Sequence, residues 1–418
     1  MIYDSIIIGG GAAGFFTAIN LAKNRPGSSI IILERGGQVL EKVRVSGGGR
    51  CNLTHAVFEP RLLTDFYPRG KRELLGPFHT FMTGDTMAWF EDLGIPLKIE
   101  EDGRVFPQSD SSQSIIDCFL EKASHYNIAI ETKTPVTSLK KVDDNTFELG
   151  SKNFTYLSKT VVVATGSNPK MLKLLEEARV KVTSTVPSLF TFNIKDERIT
   201  NLAGVATQAR VKLLDLNKRS LLVNETQIDQ NGTEGPVLIT HWGMSGPGIL
   251  KLSAWGARTL KASNYEFLIE ISWLPDYNIN QLREALRESK FNLAKQTVAK
   301  WAPFDLPKRL WQSLVKASGI SDSLKWADLN KAMLNDLEQQ LLTCHFRVSG
   351  KSTFKEEFVT AGGVDLTEID FKTYQSKKIK ALYLVGEVLN IDAVTGGFNF
   401  QNAWTGGFIA AKALAESL

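Results

Sequence analysis

The chain has 418 residues, 43% of them hydrophobic and 22% charged, a composition that excludes a disordered or fibrous polypeptide and sets an expectation of two or three domains with a large core. Lys plus Arg number 49 against 45 Asp plus Glu, and the net charge of +4 neither requires nor excludes a nucleic-acid partner. The three cysteines, Cys51, Cys118 and Cys344, form no C-x-x-C pair, which argues against a zinc ribbon or redox dithiol and suits a reducing cytoplasm.

The N-terminus runs straight into a strand pattern, so no signal peptide is expected; no apolar run reaches the length of a membrane span, so no membrane partner is expected. Residues 2–8 are short and mostly apolar. Gly9, Gly10, Gly11, Ala12, Ala13 and Gly14 follow, then a helix-like stretch at 15–23 and a second apolar run at 28–33 that ends on Glu34. A G-x-G-x-x-G run alone also describes an ordinary tight turn. Between a strand and a helix, with an acid after the second strand, it is the pattern of an adenine-dinucleotide site. Gly9 permits the turn, Gly11 lets the backbone approach a pyrophosphate, and Gly14 lets helix and strand pack closely. The helix N-terminus turns free N–H groups and a positive dipole end to the pyrophosphate. Glu34 can accept hydrogen bonds from a ribose diol, and its charge disfavours a 2′-phosphate.

Lys42, Arg44 and Arg50 surround Ser46, Gly47, Gly48 and Gly49, with Cys51 and Asn52 following. The glycines predict a loop whose backbone can come close to a ligand, and the cations suit phosphate; a solvated basic loop is the alternative. Residues 60–100 read as loops and short helices, with Met87, Phe90 and Leu93 on one core-facing side. Residues 103–107 read as a turn and a short extended piece. An amphipathic helix is expected at 109–126, with Ile115, Ile116, Phe119 and Leu120 in the core and Cys118 inert among them. Runs at 128–132, 136–142, 146–149 and 154–157 predict a small antiparallel meander. A separate buried strand at 160–164 leads into Thr165, Gly166 and Ser167, where a bare backbone would lie beside a ligand at the carboxyl edge of a parallel sheet.

Composition changes near Pro187. Strand-like runs at 189–194, 206–215, 220–223, 237–240 and 265–272 end at Pro275. Residues 278–342 are helical in pattern, with Leu282, Leu286, Phe291, Val298, Leu310, Leu314 and Leu337 as core candidates and breaks at Pro303 and Pro307. This reads as an insertion with a β part and a helical part. Within it, His241 and Ser245 stand in a flexible segment before an apolar helix at 249–260. An imidazole titrates near neutrality and can relay a proton; a capping or packing histidine at a strand end is the alternative. The chain then returns to its first pattern, with 358–364, a strand at 381–385, Gly386 and Glu387, residues 394–401 and a final helix at 402–414. A polar residue after Gly386 can bind a ribityl-type polyol, and amides opening the last helix can face an electron-rich ring edge.

These motifs together resemble a bacterial two-domain flavoprotein family named variously after aminoacetone oxidase, a bile-acid dehydro-reductase and a dihydrouridine synthase acting on 23S ribosomal RNA. The matching stretches are IIIGGGAAG (6–14), SGGGRCN (46–52), GRVFP (103–107), THWGMSGP (240–247), VTAGGV (359–364) and GEVLNIDAVTGGFNFQ (386–401), so the likeness spans nearly the whole chain. It implies an α/β fold: a Rossmann-like, glutathione-reductase-like FAD-binding domain with an inserted β-rich domain carrying a small helical part. The implied division is 1–187 and 357–418 for the FAD-binding domain, 188–275 for the β-rich insertion, 276–342 for its helical part and 343–356 for its return strand. FAD is then expected beside residues 9–14, Glu34, Arg35, Lys42, Ser46, Gly47, Gly48, Arg50, Cys51 and Asn52. Val136 is implied near the adenine through its backbone. Thr165, Gly166, Gly386, Glu387, Gly397, Phe398, Asn399 and Phe400 are implied along the rest of the cofactor. The family often has Asp where this chain has Asn390, which weakens a carboxylate role there and leaves Asp392 available.

The leading expectation is a cytoplasmic flavin reductase that takes hydride from transiently bound NADH or NADPH, a small-molecule electron donor, and saturates a conjugated C=C bond. The resemblance points to a uracil ring in ribosomal RNA, or to a small enone. Such a reaction needs a proton donor, for which His241, Cys51 and Ser245 are the candidates; Cys51 would have to be partly exposed to serve. An amine oxidase that passes electrons to oxygen is the rival. A flavin-dependent RNA-binding protein without turnover is the third reading, with Lys351, Lys355, Lys372, Lys377, Lys378 and Lys380 as phosphate contacts, against the plainer reading of a solvated basic face.

Overall fold

Ile6, Ile7 and Ile8 need cover on both faces, and the first strand, Ile2–Ile8, accordingly runs through the middle of a sheet with Ile6 and Ile7 fully buried. The computed structural model describes residues 2–152, 154–221, 232–352 and 359–418. The chain divides into two compact units, Met1–Pro187 with Lys355–Leu418, and Ser188–Phe354.

In the first unit, Ile2–Ile8 pairs in parallel with Ile30–Leu33 on one side and Thr155–Val163 on the other. Ala129–Glu131 and Leu382–Leu384 extend this parallel set outward. The helix Ala12–Asn24 makes the first crossover. It packs along the closing helix, Phe398–Ser417, where a Cβ on Gly407 would lie 3.0 Å from Thr17 Oγ1. The architecture is the expected Rossmann-like α/β fold. No helix among the described residues is long and apolar enough to cross a membrane.

Several local expectations are corrected. The stretch read as a loop after Lys42 is the helix Glu41–Gly49, broken at Ser46–Gly48, where Gly47 and Gly48 adopt positive φ of 58° and 69°. The runs 154–157 and 160–164 are one strand, Thr155–Val163, because Ser158 and Lys159 stay extended; Ser158 is buried and its hydroxyl donates to Thr160 O at 2.6 Å. The closing helix starts at Phe398, one turn earlier than expected, because Gly397 at φ 95° forms its N-cap. Leu120 is 38% exposed, while Ile115, Ile116 and Phe119 of the same helix, Ser112–His125, are buried.

The second unit is an antiparallel sheet in the order Cys344–Ser349, Glu266–Ser272, Ala206–Leu214, Thr233–Thr240, Gly243–Ser245, Thr191–Asn193 and Lys351–Ser352. Helices Ile279–Asn292, Lys308–Ala317 and Lys331–Leu342 complete its core. Trp311 and Trp326 stack with ring centroids 6.2 Å apart, their indole N–H groups donating to Val298 O and Trp301 O. Phe291, expected in this core, is 85% exposed, because its helix buries Leu282, Leu286 and Ser289 and position 291 falls on the opposite face. The helix expected at 249–260 is two, Pro247–Trp255 and Ala257–Ala262, parted at Gly256. Of the run 220–223, Ser220 bridges Leu214 and residues 222–223 lie outside the described residues.

Candidate functional site

Parallel strands bring their carboxyl ends to one edge of the first unit's sheet. Backbone bonds run across that edge: Gly9 N–H to Leu33 O at 2.9 Å, Ala164 N–H to Ile8 O at 2.8 Å, Val385 N–H to Val163 O at 3.1 Å and Glu34 N–H to Glu131 O at 2.8 Å. Residues 9–14, Glu34, Thr165 and Gly166, and Gly386 and Glu387 are thereby gathered along the one edge where α/β sheets bind ligands.

The three motif glycines divide by role. A Cβ on Gly9, whose φ is 110°, would lie 2.5 Å from Ala164 O, and one on Gly14 would lie 2.0 Å from Gly9 O. A Cβ on Gly11 would meet no protein atom within 4 Å, so the space beside Gly11 is open to a ligand. Gly11 caps the helix Ala12–Asn24 with no side-chain hydrogen bond. Among the described residues no protein acceptor meets the amides of Ala12, Ala13 and Gly14, as a pyrophosphate site requires.

Glu34 is held by two backbone amides: Gly10 N–H donates to Oε2 at 2.8 Å and Gly36 N–H to Oε1 at 2.6 Å. Each carboxylate oxygen keeps a further lone pair for a ribose hydroxyl. Thr134 N–H donates to Glu34 O, which brings the start of the strand Val136–Asp143 close to Glu34; Arg35 beside it is exposed. Lys42 Nζ lies 2.5 Å from Glu387 Oε2, and Thr360 N–H donates to Glu387 Oε1 at 3.1 Å. A Cβ on Gly386 would approach Ala13 Cβ to 3.0 Å, so the Gly386 turn abuts the first helix.

The segment 46–52 reaches the closing helix. Gly47, Gly48, Gly49 and Cys51 all have positive φ, and Cβ atoms on Gly48 and Gly49 would meet nothing. Ser46 donates to Val43 O. Arg50, expected to face phosphate, instead pairs with Glu100 at 2.6 Å and Asp110 at 3.4 Å, its guanidinium 4.0 Å above the Phe106 ring. With its amide oriented to satisfy both partners, Asn52 donates to Thr54 O and accepts from Gly397 N–H at 3.1 Å. The closing helix has no side-chain cap, and among the described residues no protein acceptor meets the amides of Phe398, Asn399 and Phe400. The Phe398 ring is buried against Phe66 and His55, Asn399 bonds both backbone groups of Ala393, and Phe400 stacks on Trp404.

Two open helix N-termini, a bare glycine turn and an acid at the second strand fit the pyrophosphate, ribose and ring edge of FAD. When bound, FAD supplies hydride transfer at its ring.

Other expectations are corrected. Asp392 is completely buried and grips Arg69 through both carboxylate oxygens, with Arg69 Nε donating to Oδ1 at 2.5 Å, so it is not available to a cofactor. Cys51 is fully buried, and burial pushes its thiol up to about 12, although a hydrogen bond with Ser46 pulls the other way; the exposure that proton donation requires is absent. In the second unit, His241 is exposed at the tip of the hairpin joining Thr233–Thr240 to Gly243–Ser245, and it lines a cleft of about 730 Å³ with Lys195, Asp196, Glu197 and Thr240. Ser245 sits farther down the hairpin, opposite Leu238, so the two candidates are not brought together as a bonded pair. Of the lysines expected to touch phosphate, Lys378 pairs with Glu368 at 2.9 Å and Lys377 donates to Thr367 O. Lys351 is half-buried over the Phe190 and Tyr265 rings, its pKa lowered by burial and by Lys261; Lys355 lies outside the described residues.

The sequence reading missed the residues that shape the closing-helix turn. Phe66 O accepts from Val394 N–H, and Tyr67 donates to Phe398 O at 2.6 Å. His55 Nδ1 lies 3.1 Å from Gly396 O. Buried Gln401 accepts from Thr54 at 2.6 Å and Thr86 at 3.0 Å. Only the run of motifs flanking them hinted at their place.

Comparison with known proteins matches residues 3–413 to the family described as HI0933-like protein Rossmann domain. The chain is 28% identical over 98% of its length to a 3-dehydro-bile acid delta(4,6)-reductase of Clostridium scindens, 98% of which is covered. It is 29% identical over 99% of its length to a ribosomal RNA dihydrouridine synthase of Escherichia coli K12, again with 98% of the relative covered. Among solved structures, the 3-ketosteroid-delta4-(5alpha)-dehydrogenase of Rhodococcus jostii RHA1 shares the fold with a TM-score of 0.53 at 14% identity, covering 99% of this chain and 96% of that one.

Proposed function

We propose a reaction for this chain from one premise: it belongs to the HI0933-like Rossmann family. It is a FAD-dependent oxidoreductase. The proposed reaction is the reduction of a C=C bond conjugated to a carbonyl group, fuelled by NADH or NADPH. A uracil ring in ribosomal RNA is the leading substrate, and a small enone the second.

The open amide end of the closing helix carries this reading on the structural side. Three N–H groups and the positive end of a twenty-residue helix favour negative charge on a ring edge bound against them, which would favour the reduced cofactor. The names of the two full-length relatives support the substrate class, because both describe saturation of a double bond conjugated to a carbonyl. Only one dinucleotide pattern is present in the sequence, so the nicotinamide is a transient visitor.

Hydride addition to one carbon of the double bond leaves its neighbour needing a proton. Of the three candidates, His241 is exposed to solvent and can be reprotonated between turnovers, whereas Cys51 is sealed from it. His241 is therefore the proposed proton donor, with Ser245 second.

Anaerobic flavin absorbance tests the proposal. NADH or NADPH should bleach the flavin, and unmodified 23S RNA or an enone should restore its colour without oxygen. Bleaching by a small amine but by neither nicotinamide would replace the reductase with an amine oxidase. His241→Asn should slow recolouring by the acceptor while leaving bleaching by the nicotinamide unchanged.

A further inference from the structure

Asn52 and His55 stand three residues apart and grip opposite sides of one peptide bond far along the chain. The carbonyl of Gly396 faces His55 Nδ1 at 3.1 Å, and the N–H of the same peptide, on Gly397, faces Asn52 Oδ1 at 3.1 Å. A carbonyl only accepts, so His55 carries its proton on Nδ1 and donates it. The peptide lies between two glycines at φ of 134° and 95°, conformations that leave it without side-chain restraint of its own.

The imidazole is also wedged in place. It stacks on Phe398 with centroids 4.6 Å apart, and Phe398 stacks on Phe66 at 4.2 Å. A Cβ on Gly103 would lie 2.7 Å from His55 Nε2, and one on Gly396 would lie 3.3 Å from Nδ1. Glycine at 103 and at 396 therefore makes room for this ring, which lies between the motifs at 103–107 and 386–401.

The gripped peptide immediately precedes the open amides of Phe398, Asn399 and Phe400. We propose that Asn52 and His55 are positioning residues that fix this peptide, and thereby aim the amides of the closing helix at the ring of bound FAD, setting its affinity and reduction potential. The proposal rests on the cofactor reading of the first unit. Release of the Gly396–Gly397 peptide would let the open amides turn away from the ring, and their loss weakens the reduced cofactor most.

The test uses the full-length chain, stripped of FAD and reloaded, with the dissociation constant and midpoint potential of the flavin as readouts. His55→Phe keeps the ring stack and removes the donor; His55→Asn keeps an N–H near the Nδ1 position and removes the ring. Expected is FAD binding about tenfold weaker in His55→Phe, with the reduced form penalised about tenfold more than the oxidised, a fall of about 30 mV. His55→Asn should stay close to wild type in both. Asn52→Leu should mimic His55→Phe. The double variant should be no worse than the poorer single, because both residues hold the same peptide. Wild-type affinity and potential in His55→Phe, equal damage in His55→Asn, or additive losses would overturn the clamp alone. A wild-type chain that binds no FAD would overturn the cofactor reading together with it.

Discussion

Arg69 and Asp392 are joined by a two-point ion pair sealed inside the first unit, with 6% and 0% of their side chains exposed. Their backbones also meet in an antiparallel bridge, so the segment containing Phe66 and Tyr67 is pinned along the turn that precedes the closing helix. Asp392→Asn leaves the guanidinium buried without its counter-charge and should cost about 3–5 kcal/mol. Urea unfolding of the FAD-free chain measures this, and a loss below about 1 kcal/mol would count against a structural role for the pair.

The glycines of the first motif should separate folding from binding. Gly14→Ala places a methyl 2.0 Å from Gly9 O and should prevent a stable fold, read as loss of soluble protein or of cooperative unfolding. Gly11→Ala meets no protein atom and has an ordinary φ of −95°, so the FAD-free protein should unfold within about 1 kcal/mol of wild type while FAD binding is lost. Retained FAD in Gly11→Ala would place the pyrophosphate elsewhere.

Glu34→Gln replaces one carboxylate oxygen by an NH₂ that must face a backbone N–H, at Gly10 or Gly36. Loss of the carboxylate charge also weakens its proposed bonds to the ribose hydroxyls, which predicts about 1.5–3 kcal/mol weaker FAD binding, roughly ten- to a hundredfold. Equilibrium titration of the stripped protein with FAD gives the number; unchanged affinity would remove Glu34 from the ribose site.

Burial pushes the thiols of Cys51, Cys118 and Cys344 up to about 12, 11 and 11. The folded chain therefore holds protons that the unfolded chain releases above about pH 9, and ionisation favours unfolding there. The stabilising difference is fully present below pH 9 and is lost as pH rises through 11 to 12. Urea midpoints at pH 8 and pH 10.5 should fall more steeply for wild type than for Cys51→Ala. In native protein at pH 8, a thiol reagent should leave Cys51 unmodified until denaturant is added.

A dinucleotide cofactor was legible in the sequence because its evidence is local. Turn, helix start and acid lie within the first thirty-four residues, and each follows from backbone freedom at glycine and from hydrophobic period, which need no distant partner. The strand–turn pattern at Thr165 and Gly386 was legible for the same reason. What the sequence could not assign were roles decided by contacts across hundreds of positions. Asp392, free in the sequence, is committed to Arg69 323 residues away; Cys51, adjacent to a ligand loop, is sealed in the core; and His55 bears on Gly396 341 residues on. Residue type and spacing set which groups can bind a dinucleotide. Burial and pairing, which exist only after the chain has closed on itself, decided which of them are already taken.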